Sequence, residues 1–290
     1  MSLDNLKQYI ESKIRESLYL LGEVNHLRDA CEKALLNGGK RLRPIIVMEL
    51  AKTLDPVRDP WFAAFSVECF HTASLIADDL PCMDDELFRR NAPSLHRSHG
   101  ESTALLASYA LISLAYRCIY LAAEKCPHPE NVCRLALLQA SHNTSHAAAG
   151  QFLDLEHKTP NKEELEVLIQ GKTGALYELS FVFAWIFGGG NTDALALVKK
   201  MAGHFGMAFQ IADDFDDALE DLDRGCRSNL ALVLGVDHAY RVFQKEIQGF
   251  REHAQLLGLG ESCFRQLQDL MEKKSLLARG SLKEALAKQN

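Results

Sequence analysis

Two acidic runs, and the cations that could answer them, are the residues in this chain whose types and spacing could do chemistry. Ala77-Asp78-Asp79-Leu80-Pro81-Cys82-Met83-Asp84-Asp85 places four carboxylates within eight residues at the expected end of an apolar helix. Like charges at that spacing repel, and a helix C-terminus already favours cations over anions. Such a cluster asks for a counter-charge. Pro81 should break the helix and let Asp84 swing back towards Asp78. Far along the chain, Phe209-Gln210-Ile211-Ala212-Asp213-Asp214-Phe215-Asp216-Asp217 repeats the theme. Asp213 and Asp217, four apart, share a helix face, with Asp221 one turn further. Hard oxygen donors that leave room for water and phosphate oxygens suit Mg2+. Either run alone would equally fit a solvated helix end. Two runs that both emerge from apolar helices favour the cation.

The cations fall where an anion would need them. Asn37-Gly38-Gly39-Lys40-Arg41-Leu42-Arg43-Pro44 sets three basic side chains just past a glycine pair, at a helix N-terminus. Free amides, the helix dipole and guanidinium forks together make a phosphate cradle. Arg89-Arg90 follows the first acidic run, and Lys172-Thr173-Gly174 interrupts a helical stretch, where it can expose a carbonyl and a hydroxyl. Each of these alone reads as ordinary surface charge. With the carboxylates they describe a Mg2+–diphosphate site.

The elements that must position these groups are helices. Apolar residues recur at three- and four-residue spacing, and alternating β-branched runs are nearly absent. The periodicity predicts helices over 3–20, 25–37, 41–54, 60–80, 101–124, 129–150, 162–187, 192–219, 230–257 and 261–286. The expected fold is all-α, and with no linker, repeat or composition shift it is expected to be one domain over 1–290. A 47% hydrophobic content supports a large core, and a net charge of −7 argues against nucleic-acid binding. The eight scattered cysteines form no Cys-x-x-Cys pair, which points to reduced thiols and a cytoplasmic setting. Met1 to Ile14 lacks a signal-peptide core. Ala104 to Ala123 is long enough to span a bilayer, but it stands alone and reads as a buried helix that is apolar all round.

These residues, in this order, resemble the trans-isoprenyl diphosphate synthase family. The resemblance runs from about Gly38 to Gly235. It rests on the GGKRLRP segment, the long first motif DDLPCMD, Arg89-Arg90 with Pro93 and His96, Gly150-Gln151 with Asp154, Lys172-Thr173-Gly174, and FQIADDFDD. It implies an all-α bundle around a deep central cavity, usually homodimeric. It further implies that Asp78, Asp84 and Asp213 bind Mg2+ on an allylic diphosphate, with Asp79, Asp214 and Asp217 as supporting acids. Arg89 and Lys172 would hold that diphosphate. Lys40, Arg43, His71 and Arg90 would hold isopentenyl diphosphate, with Gly39 giving backbone access, and Thr173 and Gln210 would face the reacting carbons.

The implied reaction is head-to-tail condensation of isopentenyl diphosphate with dimethylallyl, geranyl or farnesyl diphosphate, to a short all-trans product. Ala73 and Ser74, small residues just before Asp78, lean that product to geranylgeranyl rather than farnesyl diphosphate, with Phe70 as the next stop. Ala73→Tyr is accordingly expected to shorten it. The sequence also departs from the family pattern. Ala77 stands where His is usual, Ser108-Tyr109 replaces a Gly-Asp pair, and 218–228 is shortened, with Arg224 in place of the earlier family lysine and Arg227 in place of the later one. The altered stretch 218–228 supports the alternative of a non-catalytic regulatory subunit of the same fold, and product length leaves a farnesyl diphosphate synthase as the other alternative.

Overall fold

Helices make up nearly all the regular structure of the computed structural model, which describes residues 2–156, 162–224, 229–260, 264–265, 268–269, 271–272, 276, 279–280 and 282. They are α1 (Leu3–Ser17), α2 (His26–Leu36), α3 (Leu42–Leu54), α4 (Trp61–Asp78), α5 (Leu95–His99), α6 (Glu101–Ala123), α7 (Pro129–Glu156), α8 (Lys162–Ile169), α9 (Ala175–Phe187), α10 (Leu195–Arg224), α11 (Leu230–Leu234) and α12 (Val236–Leu256). Two short antiparallel strands, β1 (Phe88–Arg89) and β2 (Ala92–Pro93), and short 3-10 turns at Leu18–Leu21 and Thr192–Ala194 accompany them. Arg227 and most of the expected helix 261–286 lie outside the described residues.

Side chains cap the starts of α1, α2 and α11. Ser2 Oγ accepts the Asn5 N–H, Asn25 Oδ1 accepts that of Arg28 and Asn229 Oδ1 that of Leu232, each satisfying an amide that the helix leaves unpaired. Where the pattern and the structure differ, the cause is local. Gly235 takes a φ of +78° and divides the expected 230–257 helix into α11 and α12. The β1–β2 hairpin and α5 are too short to carry a period.

The chain falls into two compact units, Met1–Thr144 with Leu179–Thr192, and Ser145–Glu178 with Asp193–Asn290. In the first unit α4 packs against α3 and α6, with Ile46, Val47 and Leu50 of α3, Phe65 and Val67 of α4 and Leu111 of α6 fully buried. Each such side chain contributes about 1.5–3 kcal/mol when taken out of water. Alanines at 104, 107 and 115 keep the buried side of α6 narrow. Ser66 Oγ donates to the Ala115 carbonyl at 2.9 Å and Ser108 Oγ to the Ala73 carbonyl at 3.0 Å, stapling α4 to α6. The expectation for Ala104 to Ala123 is therefore corrected. One side of α6 is buried on α4, whereas Leu105, Leu106, Tyr109, Ile112 and Tyr120 are exposed.

In the second unit, α8, a five-residue π-turn at Gln170–Gly174 and the first turn of α9, Ala175–Glu178, follow one another directly. Glycines let backbones meet there. A Cβ at Gly150 of α7 would lie 2.2 Å from the Lys172 nitrogen, and one at Gly206 of α10 would lie 3.3 Å from the Gly174 Cα. Tyr177, Phe205, Phe209 and Phe250 meet edge-on or tilted around this crossing.

Candidate functional site

The first acidic run is shaped by the end of α4. Leu80 and the following residues leave the helix, and the chain turns back so that the Asp84 N–H donates to the Asp78 carbonyl at 2.9 Å. The Met83 and Asp85 amides both return to the Leu80 carbonyl, at 2.8 and 3.2 Å, with Asp85 at a φ of 51°. The return expected of Pro81 is therefore present. Asp84 and Asp85 are exposed, Asp78 is half-buried and Asp79 is buried. Asp79 is paired with Arg89, whose Nε lies 3.0 and 3.2 Å from its two oxygens and whose Nη2 also reaches Oδ1. A bidentate fork of this kind fixes both partners.

Arg89 is itself placed by the hairpin. Arg90 and Asn91 both have positive φ, 54° and 64°, which is the backbone of a type I′ turn. Asn37 Nδ2 donates to the Arg89 carbonyl at 3.1 Å, and Arg90 donates to the Gly38 carbonyl. The Arg90 guanidinium lies so close over Gly39 that a Cβ there would be 2.4 Å from its Cζ. Glycine at 39 is thus required for this approach. Arg43 Nη1 stands 3.3 Å from His71 Nε2. Burial, and then Arg43, Arg90, Arg41 and Arg89 around it, hold His71 well below the usual imidazole range. A neutral His71 accepts from Arg43 at Nε2.

One cation expected in the phosphate cradle serves another purpose. Arg41 is 3% exposed, with its Nε 2.6 Å from Glu11, a pairing to Glu68 and a bond from Nη2 to the Leu35 carbonyl at 2.6 Å. Its charge is met inside the fold. Lys40 is exposed and Arg43 half-buried, so those two remain as the outward cations of that segment.

The second unit carries the other acidic run, on α10. Asp214 is 6% exposed; its Oδ1 accepts from Gln210 Nε2 and its Oδ2 from the Leu230 N–H, both at 2.7 Å. Burial is the chief reason its carboxyl is pushed up to about 7. Thr173 Oγ1, in the π-turn, donates to Gln210 Oε1 at 2.7 Å. Lys172 pairs with Asp154 of α7. A π-turn inside a helical run widens it by one residue and is frequent at functional sites. Here it presents Lys172 and Thr173, so the expected interruption is a bulge within continuing helix. Asp213 is half-buried and Asp217 exposed.

Among the described residues, no three His, Cys, Asp or Glu side chains are gathered as a ready-made metal cluster. Mg2+ typically uses one or two carboxylates together with substrate phosphate oxygens and water. The part-exposed Asp78 and Asp84, and separately Asp213 and Asp217, have that donor chemistry. Sequence reasoning missed Asn37 and Asn229. Asn229 precedes an apolar Leu-Ala-Leu stretch, the signature of a helix cap.

A model of the polyprenyl synthetase family matches residues 24–225. The chain belongs to the polyprenyl synthetase family. It is 35% identical over 210 residues to geranylgeranyl pyrophosphate synthase 3, chloroplastic, of Arabidopsis thaliana, covering 70% of this chain and 58% of that protein. With geranylgeranyl pyrophosphate synthase 4 of the same plant it shares 33% identity over 262 residues, 85% of this chain and 70% of the relative. Among solved structures, the apo FPP/GFPP synthase of Zymomonas mobilis superposes with a TM-score of 0.80 at 26% identity, covering 92% of this chain and 97% of that one. Geranyltranstransferase of Thermotoga maritima gives 0.77 at 30% identity, covering 95% and 98%. The all-α fold of the polyprenyl synthetase family is the fold of this chain.

Proposed function

We propose that the protein is a Mg2+-dependent prenyltransferase that joins isopentenyl diphosphate head-to-tail to dimethylallyl, geranyl or farnesyl diphosphate, with geranylgeranyl diphosphate as its main product. The observation that carries this reading is the turn-back of Asp84 onto Asp78 beside Arg89, in a chain whose named relatives are geranylgeranyl pyrophosphate synthases. Asp78, Asp84, Asp213 and Asp217 would hold Mg2+, with Asp79 and Asp214 as support. That division is favoured because Asp79 is committed to Arg89 and Asp214 to Gln210 and the Leu230 amide. When bound, Mg2+ supplies the charge neutralisation that a diphosphate leaving group needs.

The chain's own groups do the rest. Arg89 and Lys172 bind the allylic diphosphate; Lys40, Arg43, His71 and Arg90 bind isopentenyl diphosphate. Fixed positive charge lowers the barrier to breaking the allylic C–O bond. The resulting carbocation needs surroundings poor in water, and Thr173 and Gln210 face it with oxygen lone pairs. The isopentenyl double bond attacks, and a proton then leaves to the departed diphosphate.

The proposal includes a homodimer formed through the exposed apolar side of α6, Leu105 to Tyr120, which light scattering of the purified protein checks. The six described cysteines are free thiols, which supports a cytoplasmic setting. Product chromatography after incubation with Mg2+, isopentenyl diphosphate and each allylic diphosphate in turn tests the activity. Farnesyl diphosphate as sole product would make it a farnesyl diphosphate synthase. Absence of any product would favour the non-catalytic subunit, the reading that the altered stretch 218–228 supports.

A further inference from the structure

Asn229 stands one residue before α11, is 1% exposed, and uses every polar atom of its side chain within the second unit. Its Oδ1 accepts the Leu232 N–H at 3.1 Å, capping α11. Its Nδ2 donates to the Asp214 carbonyl at 2.7 Å and to Asp221 Oδ2 at 2.8 Å, so one amino group grips α10 at two points a little under two turns apart. The next amide, that of Leu230, donates to Asp214 Oδ2 at 2.7 Å. Only a carboxamide offers one acceptor and two donors in this geometry. Aspartate would keep the cap but lose both donors and set its carboxylate against that of Asp221.

The consequence runs along a chain of hydrogen bonds that starts at a main-chain donor. Leu230 N–H donates to Asp214, which accepts at its other oxygen from Gln210 Nε2 at 2.7 Å. With its amino group committed to Asp214, Gln210 turns its carbonyl oxygen to Thr173, whose Oγ1 donates to it at 2.7 Å. The Thr173 proton is therefore spent on Gln210, and its lone pairs point elsewhere. We infer that Asn229 is a positioning residue that, by clamping Asp214 and Asp221, sets the orientation of Gln210 and turns the Thr173 lone pairs towards developing positive charge. This rests on the prenyltransferase reading above and deepens it.

The experiment compares the full-length protein with Asn229→Asp and with the reciprocal pair Asn229→Asp/Asp221→Asn. In the pair, an amide at 221 can again donate to a carboxylate at 229. Asn229→Asp should lower kcat about 10- to 100-fold, with the KM values for isopentenyl and allylic diphosphates nearly unchanged. The reciprocal pair should recover part of that loss. Unchanged turnover in Asn229→Asp would overturn the inference. So would a pair that regains its melting temperature but none of its kcat, because the clamp would then be merely structural. If the unmodified protein makes no product, the prenyltransferase reading fails instead. The clamp is then judged by melting temperatures of the two single variants and the pair, where strict additivity removes it and coupling between 229 and 221 retains it.

Discussion

The Asp84 N–H donates to the Asp78 carbonyl at 2.9 Å, across a turn that holds Pro81. This bond brings two acids six positions apart to the same helix end, and the first prediction follows from it. Asp78→Ala and Asp84→Ala should each cut kcat at least about 100-fold while the melting temperature holds or rises slightly, since like-charge repulsion is relieved. Asp213→Ala should behave in the same way. Near-normal rates for all three would remove the proposed metal ligands.

Neighbouring cations of the glycine-rich segment should fail differently. Lys40→Ala and Arg43→Ala should chiefly raise the KM for isopentenyl diphosphate, the substrate that is not ionised. Arg41→Ala should instead destabilise the fold by about 3–5 kcal/mol, because it leaves the Glu68 carboxylate, 2% exposed, without its partner. Denaturant titration of the three variants alongside their kinetics separates the two effects. A stable Arg41→Ala protein with a raised KM would reverse the division.

Acid should weaken the first unit through His71. Its folded pKa lies well below that of the unfolded chain, mainly through burial. The unfolded state therefore binds the proton first, and stability that is complete above about pH 6.5 falls as pH drops from there towards the folded value. Between about pH 7.5 and 5.5 this loss opposes the gain from Asp214, whose carboxyl, pushed up to about 7, stabilises the fold as it takes its proton. The test is therefore the difference between the melting curves of the unmodified protein and His71→Gln. His71→Gln should decline less over the same range. Equal slopes for both proteins would show that other groups control the acid limb.

Product length should follow the side of α4 that Asp78 shares. Ser74, one turn before Asp78, is half-buried, whereas Ala73 is 1% exposed with its carbonyl taken by Ser108 of α6. The sequence pointed to Ala73→Tyr as the shortening change. With Ala73 packed against its neighbours, that substitution should instead lose about 1–3 kcal/mol by overpacking. Ser74→Phe should shorten the product. Phe70 lies edge-on to Tyr116 at 5.2 Å, and if it forms the next barrier, Phe70→Ala should lengthen the product. Chromatography of the products, with melting curves for each variant, decides whether Ala73 or Ser74 bounds the tail.

What the sequence determined by itself was the part encoded in short-range pattern. Apolar spacing located the long helices, because a 3.6-residue period survives without any partner. Pro81 announced the break after α4, and the acids of both runs stood out because like charges so closely spaced repel and ask for a counter-charge. The assignment of charge to charge was decided by tertiary structure. Arg41 and Arg43 are alike in sequence, yet one is enclosed by Glu11 and Glu68 while the other meets His71, since burial depends on which helix packs over each. Asp213 and Asp214 are equally adjacent, and only the approach of Asn229 and Leu230 makes Asp214 an internal acceptor. The hairpin that aims Arg89 and Arg90 has no period to read. Its turn is held by contacts with Asn37 and Gly38, more than fifty residues earlier, which exist only once the chain has folded.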